Sequence, residues 1–270
     1  MKPLLPALAL LLASCAGAEA RAPQGDGRPT IVSLNPCTDA ILAEVTAPGQ
    51  LLAISHYSKD PRASSMEPGD AARYLATGGT VEEVLALDPD LVVASTFIDP
   101  ATRAALEDLG LEVATFGAAS TVEDSVEQVR QLATLAGNVA AGEVVVARME
   151  AALQAAASAG APVEAALWQP GGIVPGESSL VSDLLKRTGF TSYSASRGMA
   201  QADYLPLEQV VADPPEVLLV AGGETGQHHP LLSRLPDMRR EAFDTRLIYC
   251  GGPTIVRAAE RLANIRKSAR

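Results

Sequence analysis

Aromatic residues make up only 4% of this 270-residue chain, with a single Trp. An aromatic outside the core is therefore informative. Histidine is also scarce, at three residues. His228 and His229 are neighbours and His56 is remote, so on regular structure they cannot converge on one metal ion. They are read as exposed loop histidines, and no metal site is assigned. Clusters of Lys and Arg are missing except near the end, where Arg257, Arg261, Arg266 and Lys267 suit a solvated helix face; the formal charge is −11. That balance excludes nucleic acid as a partner. Phosphate and dinucleotide loops are absent, since Gly171-Gly172-Ile173-Val174-Pro175-Gly176 has the wrong glycine spacing and Pro175 lacks an N–H. Gly176-Glu177-Ser178-Ser179-Leu180 lacks the closing glycine of a nucleophile elbow and reads as a Ser-capped helix start. No catalytic residue is assigned, no resident cofactor is expected, and the chain is not expected to be an enzyme.

Long apolar runs are missing too, apart from Leu4 to Leu12, which is too short to span a bilayer. With Lys2 before it and small residues after it, residues 1–20 read as an export signal. Leu12-Ala13-Ser14-Cys15 fits a lipobox, so the signal is expected to end at 14 and Cys15 to carry lipid; Ala18-Glu19-Ala20 is the ordinary cleavage alternative. The expected location is the periplasm, with an anchor through lipidated Cys15. Residues 21–29 form a Pro/Gly-rich tether. Beyond Cys15 only Cys37 and Cys250 remain. An oxidising compartment permits a bond between them, but they are read as two small buried or half-buried thiols.

The clearest positive signal is a repeat. Thr80 to Ser95, TVEEVLALDPDLVVAS, and Leu205 to Gly222, LPLEQVVADPPEVLLVAG, share one grammar. An acidic start opens a short helix, a Pro-containing acidic turn stops it, and a buried β-branched strand follows. Glu82 and Glu208 hold matching places. Strands alternating with helices predict an α/β fold of two lobes with mostly parallel sheets, over residues 30–119 and 160–270. Residues 120–159 between them read as one long rigid helix of roughly 50 Å, weakened at Gly137-Asn138 and Gly142, where a kink or a break into two helices stays open. The last strand is expected at Arg246 to Cys250. Loops following the strands would face a cleft between the lobes. Asn35, Cys37, Tyr57, Phe97, Trp168, Arg197 and Met199 are the candidate ligand contacts there.

The stretches IVSLNPCTDAILAEV, LLAISHYSKDP, the two repeat copies and the connecting helix, in this order, resemble the periplasmic substrate-binding proteins of ABC importers for vitamin B12, ferric siderophores and haem. The resemblance implies a monomeric receptor with a shallow interlobe cleft and a metal chelate as ligand. It also implies an inner-membrane ABC permease dimer as partner, docked by one glutamate per lobe, here Glu82 and Glu208. Where B12-binding members place Trp residues around the corrin, this chain reads Ala76-Thr77-Gly78-Gly79; Tyr57 matches their pocket tyrosine, and Thr38-Asp39 stands where many relatives have Thr-Glu. Corrinoid, haem and ferric siderophore all stay open, the anionic chelates having Arg62, Arg197 or Arg257 as possible counter-ions. The competing class is an extracytoplasmic metal-ion-binding or enzymatic domain that uses the loop histidines.

Overall fold

The computed structural model describes residues 27–268; the expected signal and Cys15 lie outside them. The first lobe comprises β1 (Ile31–Ser33), α1 (Pro36–Val45), β2 (Leu51–Ser55), α2 (Pro68–Ala71), β3 (Leu75–Thr77), α3 (Val81–Leu87), β4 (Leu91–Ser95), α4 (Pro100–Asp108) and β5 (Glu112–Phe116). Its five strands are parallel in the order β3-β2-β1-β4-β5. After α5 (Val122–Leu135) and α6 (Val139–Ala156), the second lobe runs through β6 (Val163–Trp168), β7 (Ile173–Val174), α7 (Leu180–Arg187), β8 (Phe190–Ser192) and α8 (Tyr193–Ser196). It is completed by β9 (Asp203–Tyr204), α9 (Leu207–Ala212), β10 (Val217–Ala221), β11 (Arg239–Phe243) and α10 (Thr254–Ser268). Four strands form a parallel sheet in the order β11-β10-β6-β8, and β7 and β9 make a small antiparallel ribbon.

Period-two patterning assigns each strand residue to one of two layers. Ile31, Leu91 and Val93 from the first sheet and Ala165, Leu167, Val217 and Leu219 from the second enter one continuous core together with residues of α1, α5, α6, α7 and α10. Their neighbours point the other way. Val32 and Val92 pack with Val84 and Leu106 of α3 and α4, and Ala166, Leu218 and Val220 pack with Tyr193, Leu205 and Val210. The two sheets thus share a helical middle layer, and the lobes are fused rather than hinged on a flexible linker.

The middle layer corrects the expected strut. The segment is not one helix: α5 ends at Leu135, Gly137 adopts φ 65°, and α6 begins at Val139. Asn138 N–H donates to Ala133 O at 2.8 Å and Gly137 N–H to Thr134 O at 3.0 Å, which is a Schellman helix stop. α6 then doubles back along α5. A Cβ on Gly142 would lie 2.5 Å from Ala133 Cβ, and Arg130 Nε pairs with Glu143 at 2.8 Å. A second correction concerns the last strand, which is β11 at Arg239–Phe243. It sits at the sheet edge beside β10 only, so it tolerates the charged Arg-Arg-Glu start that hides the strand pattern. Thr245–Leu247, where the strand was expected, is a 3₁₀ turn.

Candidate functional site

Both parallel sheets reverse strand order at one point, between β1 and β4 and between β6 and β10. Crevices form at the carboxyl ends of strands at such points. The repeat copies occupy equivalent places, since β4 and β10 are the strands across the reversal from β1 and β6. The loop after β1 enters α1 through Asn35, whose side chain caps the helix by accepting from Cys37 N–H at 3.0 Å.

A cavity of about 290 Å³ opens at this seam. Cys37 lines it from the first lobe, the stretch Gly117 to Ser120 from the lead into α5, Gln128 from within α5, and Gln169, Ser178, Ser179, Gln201 and Tyr249 from the second lobe. Every lining side chain is uncharged; the polar ones are amides, hydroxyls and one phenol. Cys37 and Cys250 are joined here as a disulfide, S–S 2.19 Å, Cα–Cα 5.1 Å, across 213 residues of sequence. The two-thiol reading is thereby corrected: the distance that sequence separation hid is set by the α1 and α10 starts meeting at the seam. A second tie between the lobes is ionic. Glu67, the N-cap residue of α2, accepts from Arg246 Nη1 at 2.9 Å and from Arg257 Nη1.

One buried carboxylate stands two residues along the chain from Cys37. Asp39, in α1, is fully buried; its Oδ2 accepts from Ser58 Oγ at 2.6 Å and from Ser55 N–H at 2.9 Å, which fixes the turn carrying His56 and Tyr57. Burial pushes its pKa up to about 8 against those hydrogen bonds. Oδ1 receives no hydrogen bond among the described residues.

The expected contacts divide. Cys37 lines the cavity and Asn35 caps the helix beside it. Tyr57, 54% exposed and tilted at 35° against the His56 ring with centroids 4.0 Å apart, and Phe97, 87% exposed, stand on loops after β2 and β4. Trp168, Arg197 and Met199 do not line the cavity, and their side chains are engaged in the second lobe. Trp168 is buried and its indole N–H donates to Leu205 O at 2.9 Å. Arg197 pairs with Glu164 at 2.8 Å and Asp213 at 2.7 Å while its guanidinium lies 3.4 Å over the Tyr193 ring. Met199 packs against the outer core of that lobe. The other expected counter-ions are likewise matched, Arg62 with Asp60 and Arg257 with Glu67. Gln128, Gln169, Gln201 and Tyr249 were missed; Gln169 directly follows β6 and Tyr249 precedes Cys250, whereas Gln128 lies within α5 and Gln201 in the turn before β9, where residue type gives no signal.

Glu82 and Glu208 are exposed in the first turns of α3 and α9. Neither forms an ion pair among the described residues. Their helices start differently, since Thr80 Oγ1 accepts from Glu83 N–H whereas Pro206 offers no side-chain cap. Of the histidines, His229 accepts from Leu231 N–H through Nδ1 and His56 lies tilted against Tyr57. Among the described residues no group of three or more His, Cys, Asp or Glu side chains could hold a metal ion.

Two α/β lobes fused through helices, with an uncharged cavity at the strand ends between them, define a two-lobed ligand receptor. The chain belongs to the periplasmic binding protein family, which matches residues 31–246. Among curated relatives, it is 29% identical over 134 residues to the cobalamin-binding protein of Halobacterium salinarum, an alignment covering 48% of this chain and 35% of that protein. The match thus spans about a third of the length of that relative. Among solved structures it is similar to the periplasmic heme-binding protein RhuT from Roseiflexus sp. RS-1, with a TM-score of 0.69, 20% identity and coverage of 90% of this chain and 98% of that one. The periplasmic vitamin B12 binding protein BtuF of Vibrio cholerae is equally similar, with a TM-score of 0.69, 18% identity and coverage of 89% and 97%. No helix among the described residues is long and apolar enough to cross a membrane.

Proposed function

We propose that the protein captures a metal chelate in the interlobe cleft and delivers it to an ABC permease, and that the chelate is a corrinoid. The observation that carries the ligand class is the uncharged lining of the cavity. Haem presents two carboxylates and ferric catecholates keep a net negative charge, so both favour fixed cations in the site. Here the candidate arginines are held by Asp60, by Glu164 with Asp213, and by Glu67. A corrin carries carboxamides around its rim, and Gln128, Gln169 and Gln201 offer both donors and acceptors to such groups. At about 290 Å³ the cavity takes one edge of the macrocycle, with the rest lying across its open mouth.

Glu82 and Glu208, one exposed carboxylate at the head of each repeat helix, are assigned to salt bridges with arginines on the two permease subunits. Lipidation at Cys15 would hold the receptor at the membrane. The test of the ligand class is incubation of the purified protein with cyanocobalamin, haem and a ferric siderophore, followed by gel filtration and absorbance of the protein peak. Cobalamin is expected to co-elute at one per chain. Retention of haem or the siderophore with loss of cobalamin would overturn the ligand class. Stoichiometric zinc with none of the three would overturn the receptor reading.

A further inference from the structure

The first turn of α1 grips segments of both lobes that carry aromatic rings. Asp39 Oδ2 holds Ser55 N–H and Ser58 Oγ, the two sides of the turn that bears Tyr57. Two residues earlier, Cys37 is bonded to Cys250, which follows Tyr249 directly in sequence. Tyr249 lines the cavity with 42% of its surface exposed, and Cys37 Sγ lies 3.5 Å from Tyr249 O. The backbone around the ring is fastened on every side. Arg246, three residues before it, is paired with Asp244 and Glu67, and Gly252 N–H, three residues after it, donates to Ser125 Oγ of α5. Among the described residues the Tyr249 ring has no aromatic or cationic partner of its own. A large ring left half exposed inside a cavity, on a backbone that cannot move away, is a preformed contact that loses little entropy on binding.

We infer that Tyr249 is a ligand-contacting residue of the cleft, offering an aromatic face to a flat conjugated macrocycle, and that the Cys37–Cys250 bond is its positioning element. This rests on the chelate-receptor reading above. Tyr57 and Tyr249 then approach the ligand from different lobes, each fixed through α1.

The test is equilibrium titration of cyanocobalamin and, separately, haem into the full chain and four variants: Y249A, Y249F, C37S/C250S, and C37S/C250S/Y249A. Y249A is expected to weaken binding of the probe that the wild type takes up by about tenfold, the scale of an aromatic contact. Y249F keeps the ring and is expected to stay within about twofold. C37S/C250S is expected to weaken binding when Tyr249 is present and to add nothing in the Y249A background, the non-additivity of a residue acting through another. Unchanged affinity in Y249A would overturn the contact. Equal weakening by C37S/C250S in both backgrounds would overturn the positioning role, since a general loosening of the fold acts on either. A wild type that takes up neither probe overturns the macrocycle as ligand, and this assignment with it, while leaving open to the siderophore arm the receptor reading on which it rests.

Discussion

Replacing Asp39 by Asn probes the most unusual electrostatic feature of the protein. The carboxyl group is fully buried, and burial raises its pKa from 3.8 to about 8. A carboxyl whose pKa is higher in the folded state binds a proton on folding, so its contribution is greatest below the unfolded pKa and falls as pH rises toward the folded one. Between pH about 4 and about 8 the wild type should therefore lose stability with rising pH by roughly 1.4 kcal/mol per unit from this group alone. At pH 7 the accumulated cost is about 4 kcal/mol. Asn keeps an oxygen to accept from Ser55 N–H and Ser58 Oγ but does not titrate. D39N should flatten the pH dependence and exceed the wild type in stability near pH 8, by an amount that shrinks as pH is lowered. Urea denaturation at unit pH intervals from 5 to 9 measures the difference in slopes. Parallel pH profiles for the two proteins would refute the buried, raised carboxyl.

Three other outcomes follow from the same structure. Reduction, or C37S/C250S, should lower stability by about 2–5 kcal/mol in chemical denaturation, because the bond closes a 213-residue span; unchanged stability on adding a reductant would show that the cysteines are not joined. G137A should destabilise by about 1 kcal/mol, since φ 65° suits glycine and disfavours a Cβ; a continuous helix would instead be strengthened by alanine, so the sign of the change decides. E82K/E208K should leave ligand affinity intact and abolish uptake in reconstituted permease vesicles; lost affinity in the purified double variant would contradict a docking role.

Most of the frame was legible because it depends on local pattern. The helix and strand of each repeat copy form where the pattern puts them, Val81–Leu87 with Leu91–Ser95 and Leu207–Ala212 with Val217–Ala221. The doubling of helix and strand around Glu82 and Glu208 corresponds to equivalent places in the two sheets. The Gly137-Asn138 weakness was visible, but whether a glycine bends a helix or ends it depends on what the next helix packs against, here Ala133 against Gly142. The cleft was far less legible. Trp168 and Met199 look like ligand aromatics and soft contacts in sequence, yet they fill the second lobe's outer core. Arg197 looks like an anion receptor, yet Glu164 and Asp213 claim it. The disulfide joins residues 213 positions apart, a proximity that only the assembled α1 and α10 reveal. Gln169 and Gln201 stand in irregular segments that carry no periodicity and so announced nothing.

The central claim is that the seam cavity receives the ligand. Calorimetric titration of cyanocobalamin into the wild type and into A119W, which fills the cavity from the half-buried Ala119 on its wall, tests it most directly. The account predicts one-to-one binding by the wild type and none measurable by A119W, with both proteins showing the same far-ultraviolet circular dichroism. Equal binding by the two would place the ligand elsewhere and contradict it.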